Sequence, residues 1–240
     1  MKRKSIAIAL GGMLALPLWV SSAAALEVYG KASGSVDFSS NDEETANRED
    51  STLAFSSNAS RLGFKGDEQL NDSLTLTYQA EMEFGLDTGG WKSTTTGRNT
   101  YLGLKGGFGE FRMGRHDTPY KLATSDQFSD LRGDYNAIVG SINGSILFDQ
   151  RNSNTVLYLS PSMDGFQVLA AYILDTASDD FPQSEEPKNI GTSLAATYSK
   201  GSLSLSAAME TYDTSTSTLD KAKATKLSGG WDFGQGTKVN

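Results

Sequence analysis

His116 is the only histidine in the chain, and it stands beside Asp117 with Ser125 a little further on. Hydroxyl, imidazole and carboxylate are the groups of nucleophilic catalysis, which needs the base within hydrogen-bond reach of its nucleophile and a third group to orient it. Nothing else in the sequence completes such a set, so no catalytic residues are assigned. The absence of cysteine excludes a disulfide scaffold, a thiolate zinc site and a thiol nucleophile. Gly106, Gly107 and Gly109 form a glycine cluster, but it lacks the lysine and following helix of a phosphate-binding loop. The acidic stretches Asn41 to Asp50 and Asp175 to Glu186 could offer carboxylates to divalent cations, yet neither has the spacing of a calcium loop. No cofactor and no metal is expected. A formal charge of −8 and a pI near 4.7 argue against nucleic acid, whose phosphates need a basic face.

The remaining charged residues sit inside stretches that alternate. Leu74, Leu76, Tyr78, Ala80, Met82 and Phe84 alternate with Thr75, Thr77, Gln79, Glu81 and Glu83. A period of two marks a strand with one apolar and one polar face, whereas a helix would scatter both sets around its circumference. The pattern returns at Val28 to Phe38, Phe166 to Leu174, Leu203 to Glu210 and Lys226 to Phe233. Between Leu53 and Phe64 the apolar face switches, which predicts a bulge or bend. About ten such segments of roughly 9 to 12 residues occur, the length a tilted membrane strand requires.

The elements between them alternate in length. Short connections are expected at Lys65-Gly66-Asp67, Lys105 to Gly109, Pro161 to Gly165, Ser199-Lys200-Gly201 and Gly234 to Gly236. Long polar loops are expected at Asn41 to Asp50, Asp87 to Gly97, Asp175 to Lys188 and Asp213 to Asp220. Short turns at one rim and long loops at the other suggest an outer-membrane β-barrel. Tyr29, Phe38, Phe64, Phe84, Tyr101, Phe111, Tyr158, Tyr172, Trp231 and Phe233 fall near strand ends, as interfacial girdles would. A soluble β-sandwich also alternates. Its core would be thinly packed by the glycines and alanines of these apolar sets, and mid-strand carboxylates such as Glu81 and Glu83 suit a wet lumen better.

The start of the chain reads as a targeting segment. Lys2, Arg3 and Lys4 precede an apolar run from Ile6 to Val20, and Ala23 to Ala25 offer a small-residue cleavage site. The expected organisation is a signal peptide at 1–25 and an exported domain at 26–240. Cleavage would remove three of the 21 basic residues and none of the 29 acidic ones, leaving the domain more acidic still. Mean hydropathy is −0.37, too polar for a bundle of membrane helices.

Several stretches together resemble a known family. Leu26 to Gly30, Ser60 to Gly66, Arg98 to Gly109, Phe111 to Pro119, and Arg151 to Val156 with Tyr158, Ser160 and Pro161 are similar, in this order, to the general-diffusion porins of Gram-negative bacteria, and within them to the trimeric type of Neisseria and beta-proteobacteria. The resemblance implies an all-β fold, a transmembrane antiparallel β-barrel of porin type, with about 16 strands in the family. At roughly 20 residues per strand and connection, this chain would supply about ten or eleven of them. Family members end in an aromatic residue, while this sequence stops at Lys238-Val239-Asn240, so it is read as C-terminally incomplete. The resemblance further implies an outer-membrane location, a homotrimer for the full-length protein, contact with outer-membrane lipid and lipopolysaccharide, and passage of small hydrophilic solutes and ions.

It also implies a constriction. Residues of about 117–145 lack clean alternation and stand where the family's third loop folds into the barrel. Asp117, Asp126, Asp130 and Asp134 would be its acidic members, facing Arg61, Arg98 and Arg151 on the wall, with Arg115 as a further candidate whose facing depends on local register. Opposed charges at a narrow point would set a transverse field that orients dipolar solutes and biases ions. His116 would then contribute polarity to the lumen. The alternatives are a soluble exported β-sandwich that binds carbohydrate and an outer-membrane barrel enzyme built around His116.

Overall fold

A computed structural model describes residues 26–40, 51–91, 97–124, 141–142, 145–146, 148–174, 190–216, 219–234 and 237–239. The expected signal peptide, the acidic loops at 41–50 and 175–188, and Ser125, Asp126, Asp130 and Asp134 lie outside the described residues. The strands in chain order are β1 (Glu27–Lys31), β2 (Gly34–Ser40), β3 (Ser51–Ser57), β4 (Arg61–Asn71), β5 (Leu74–Glu83), β6 (Thr100–Gly106) and β7 (Gly109–Asp117). After the one-turn helix α1 (Pro119–Leu122) come β8 (Ser141–Ile142), β9 (Ser145–Ile146), β10 (Arg151–Leu159), β11 (Phe166–Ile173), β12 (Ile190–Lys200), β13 (Leu203–Thr216), β14 (Leu219–Gly234) and β15 (Thr237–Val239).

Eleven strands form one antiparallel sheet in the order β1-β4-β5-β6-β7-β10-β11-β12-β13-β14-β15. The connections make it a meander interrupted twice. The β2–β3 hairpin prolongs β1 and β4 as a separate ladder, and α1 with the small β8–β9 ladder stands between β7 and β10. Among the described residues, β1 and β15 are the two ends of the sheet.

The break between β3 and β4 is the bend that the face switch predicts. Ala59 takes a φ of 50°, a left-handed conformation that turns the chain out of register. Ser60 repairs the lost ladder: its hydroxyl accepts from the Ser33 amide at 2.9 Å and donates to the Ser33 carbonyl at 2.9 Å.

Two expected boundaries are corrected. Lys65-Gly66-Asp67 is not a turn but the middle of β4, and the turn lies at Asp72-Ser73, where Asn71 Oδ1 accepts from the amides of Ser73 and Leu74. A glycine between two charges resembles a turn, yet the same residues suit the polar face of a strand. Asp213 to Asp220 is not a long loop either: β13 runs to Thr216, β14 begins at Leu219, and Asp213 pairs with Lys221 across the ladder.

The two faces of the sheet have opposite chemistry, and the apolar one is exposed. Leu227 is 80% exposed, Leu102 62% and Met113 60%, whereas Thr155, Ser193 and Glu210 are fully buried. A water-soluble domain does the reverse, and exposed apolar patches of this extent mark a surface meant for another phase. The buried apolar cluster lies on the polar, inner face. There Tyr120 and Ala123, just within and after α1, and Phe148 from the returning chain pack on Leu169, Ile173, Ala195, Ala208, Tyr212 and Ala222 of β11–β14. The described beginning of the segment after β7, with Tyr120 and Ala123, and Phe148 near its end thus pack on the inner face.

Two of the aromatics expected in girdles do not belong there. Tyr29 points inward and donates to Glu81 at 2.8 Å, and Tyr101 lies beneath the Arg112 guanidinium, 4.6 Å from its ring.

Candidate functional site: the inner wall and the root of the loop

One stretch of the inner face, on β4–β7 and β10, carries an alternating set of charges. Arg61, Gly63 and Lys65 of β4 share the inward parity with Tyr29 of β1 and Glu81 and Glu83 of β5, because the register aligns Tyr29, Gly63 and Glu81 in one row and Arg61 with Glu83 in the next. Glycine at position 63 is required there: a Cβ would collide with the Tyr29 ring, which crosses the strand to reach Glu81. Glu81 is the hub. Its carboxylate accepts from Tyr29, pairs with the Arg98 guanidinium, and lies 3.7 Å from Arg61. Arg98 also reaches Glu83 at 3.2 Å.

Neighbouring pairs continue the set. Arg151 holds Asp117 at 3.0 Å, and Asn99 links them by accepting from Arg151 at 2.7 Å and donating to Asp117 at 2.9 Å. Arg112 is clamped on Glu110, which also accepts from Thr77 at 2.7 Å. Arg112 further contacts His116 Nε2 at 3.0 Å. A guanidinium has no acceptor, so this ring nitrogen must accept and Nδ1 must carry the proton, which it donates to the Asp117 carbonyl at 2.8 Å. With both nitrogens engaged and the ring 3% exposed, His116 is a structural polar group and offers no free base.

The second feature is the root of the long loop, seated on β12–β14. Thr118 is the N-cap of α1: its hydroxyl accepts from the Lys121 amide at 3.4 Å and donates to Glu210 at 2.6 Å. Ser193 accepts from the Tyr120 amide at 2.9 Å and donates to Glu210 at 3.0 Å. Tyr212 accepts from Asn152 at 2.7 Å and donates to the other Glu210 oxygen at 2.7 Å. Tyr212 lies over Gly191, where a Cβ would meet its ring at 2.6 Å. The returning arm of the loop is tied separately: Lys226 pairs with Asp149 at 2.9 Å, and Lys121 donates to the Asp149 carbonyl at 3.1 Å.

The expected site residues divide as follows. Arg61 and Arg98 meet at Glu81, and Arg151 stands beside them through Asn99. Asp117 ends β7 on the strand parity of Arg115, not of the inward His116, and pairs with Arg151 opposite it in the ladder rather than standing on a loop facing it. Arg115 shares the strand parity of the exposed Met113, and its guanidinium is taken up by the Gly97 carbonyl and the Ser153 hydroxyl. Asp126, Asp130 and Asp134 lie outside the described residues. Sequence reasoning marks Glu81 and Glu83 as lumen charges without signalling that they take the arginines as partners. It misses Glu210 and Lys226 altogether. Only the i, i+2 spacing of Glu210 and Tyr212, which puts both on one face, hints at a buried network.

A sheet with an exposed apolar face and an ion-paired inner face is a wall of an outer-membrane β-barrel. Residues 12–240 match the Gram-negative porin family, and the chain belongs to that family. Among characterised relatives, it is 33% identical over 172 residues to the chitoporin of Vibrio furnissii, covering 70% of this chain and 45% of that protein. It is 32% identical over 179 residues to the major outer membrane protein P.IB of Neisseria sicca, covering 72% of this chain and 47% of that protein. The chain therefore spans about half the length of these relatives. The anion-selective porin from Comamonas acidovorans superimposes with a TM-score of 0.70 at 23% identity, over 88% of this chain and 65% of that one. The OmpF porin of Salmonella typhi superimposes with a TM-score of 0.60 at 18% identity, over 88% and 62%. The fold is that of porin β-barrels, and the location is the outer membrane.

Proposed function

We propose that the protein forms a water-filled channel through which small hydrophilic solutes and ions diffuse passively, and that the full-length form is a homotrimer. The observation that carries this reading is the sidedness of the sheet: apolar residues outward, ion-paired residues inward, with a loop root docked on the inner face. An aqueous lumen keeps such charges solvated, while lipid outside tolerates only the apolar parity.

The segment of about 117–145 narrows this lumen. Arg61, Arg98 and Arg151 line the narrow point, with Asp117 beside them, Asp126, Asp130 and Asp134 on the loop, and Arg115 as a further candidate. Because Glu81, Glu83 and Asp117 already balance these arginines, the field at the wall alternates in sign over a few ångströms, which suits dipolar solutes and gives only mild ion preference. The test is conductance of single channels in a planar bilayer. Ohmic steps without added substrate are expected. Stably inserted protein that passes no current would contradict the reading.

A further inference from the structure

We infer that Glu210 is the positioning residue that seats the root of the constricting segment and thereby fixes the width of the aqueous path, a role that rests on the channel reading above. Glu210 lies on β13, and its side chain is fully buried. Burying a carboxylate is costly unless its oxygens are satisfied, and the three donors found here are all hydroxyls: Thr118, Ser193 and Tyr212. Hydrogen bonds to a charged acceptor are the stronger kind.

Each hydroxyl is itself held from behind by another donor. Thr118 accepts from Lys121 and Ser193 accepts from Tyr120, so two backbone amides of the root join the network; Tyr212 accepts from Asn152 of β10. The outgoing arm of the segment therefore converges on one carboxylate of the wall. The apolar contacts of Tyr120 and Phe148 favour docking but would tolerate sliding along a surface of alanines and leucine, since the hydrophobic effect has no direction. The hydrogen bonds on Glu210 supply the register. Lys226 with Asp149 pins the returning arm nearby, so both ends of the segment are referred to the same part of the wall.

The test compares wild type with Glu210→Ala, Glu210→Gln, Ser193→Ala and Tyr212→Phe in the full chain. Each is read by single-channel conductance, open-channel current noise and the size of polyethylene glycol that still enters the pore, alongside the heat-denaturation midpoint in detergent. Glu210→Ala is expected to raise the noise severalfold and shift the polymer cut-off. Ser193→Ala and Tyr212→Phe, which each remove one donor, should do so in smaller measure, and Glu210→Gln, whose one carbonyl oxygen still accepts while its amide nitrogen cannot, should fall between Glu210→Ala and wild type. If Glu210→Ala fails to fold, the two donor variants decide: wild-type noise and cut-off in both would overturn the proposal. A folded Glu210→Ala with unchanged noise and cut-off would overturn it directly, and so would Glu210→Gln behaving like Glu210→Ala. Wild-type protein that inserts but never conducts would instead overturn the channel reading, and the positioning role with it.

Discussion

Glu81 is shared between Arg61, Arg98 and Tyr29, and that sharing governs what a substitution on the wall does. Arg98→Gln removes a cation while leaving Glu81 and Glu83 facing each other with one fewer partner. Glu81→Gln does the opposite: Arg98 keeps Glu83, and both it and Arg61 lose one carboxylate partner, which leaves an excess of positive charge at the wall. The two variants should displace the zero-current potential in a salt gradient in opposite directions, toward cations for Arg98→Gln and toward anions for Glu81→Gln. Replacing Arg61 or Arg151 should move it in the same direction as Arg98→Gln. Both shifts should shrink as salt is raised, because the Debye length falls from about 10 Å at 0.1 M to about 3 Å at 1 M. Arg98→Ala should also lower stability by roughly 1–3 kcal/mol, the cost of taking the charged donor from one oxygen of a mostly buried carboxylate, measured as a lower urea midpoint in detergent. Equal shifts of one sign for Arg98→Gln and Glu81→Gln would mean that these side chains act through structure rather than charge.

At the scale of the strand, parity decides what each position tolerates. On β14, Leu227 points outward and Ser228 inward, one residue apart. Leu227→Arg should cost about 2–4 kcal/mol, the figure for a cation on the lipid face near mid-bilayer, while Ser228→Arg should be tolerated. Refolding yield into vesicles distinguishes them. Gly191→Val should be costly for a different reason: its Cβ would enter the Tyr212 ring and push the hydroxyl off Glu210, so it should lower the denaturation midpoint and raise current noise together. The alternation behind these predictions is legible in the amino-acid pattern of Leu74 to Phe84, as is the bend near Ser60. The misplaced turn at Lys65-Gly66-Asp67 and the overlong loop at Asp213 to Asp220 share one cause: on a barrel, one face of every strand is as polar as a loop, so composition alone cannot separate them. Glu210 escapes notice for the same reason. Following Ser204, Ser206 and Ala208 on one face, it reads as one more wet lumen residue, and only the docked loop shows it to be dry.

At the scale of the molecule, the chain divides one inner face into two tasks. The stretch on β4–β7 and β10 holds paired charges, and the stretch on β11–β14 receives the loop. On the channel reading proposed above, a path for water runs beside the charges, and its bore depends on where the loop sits. All of this depends on which phase each parity of the sheet meets. Because the chain has no native cysteine, single cysteines can be placed at positions 224 to 231 of β14 and spin-labelled without background. In vesicles, labels at 225, 227, 229 and 231 should be reached by oxygen dissolved in lipid and those at 228 and 230 by a water-soluble nickel chelate, while 224 and 226, which lie under the docked root, should be shielded from both. If the apolar set proves shielded from both reagents, that set is packed against protein, and the porin account fails.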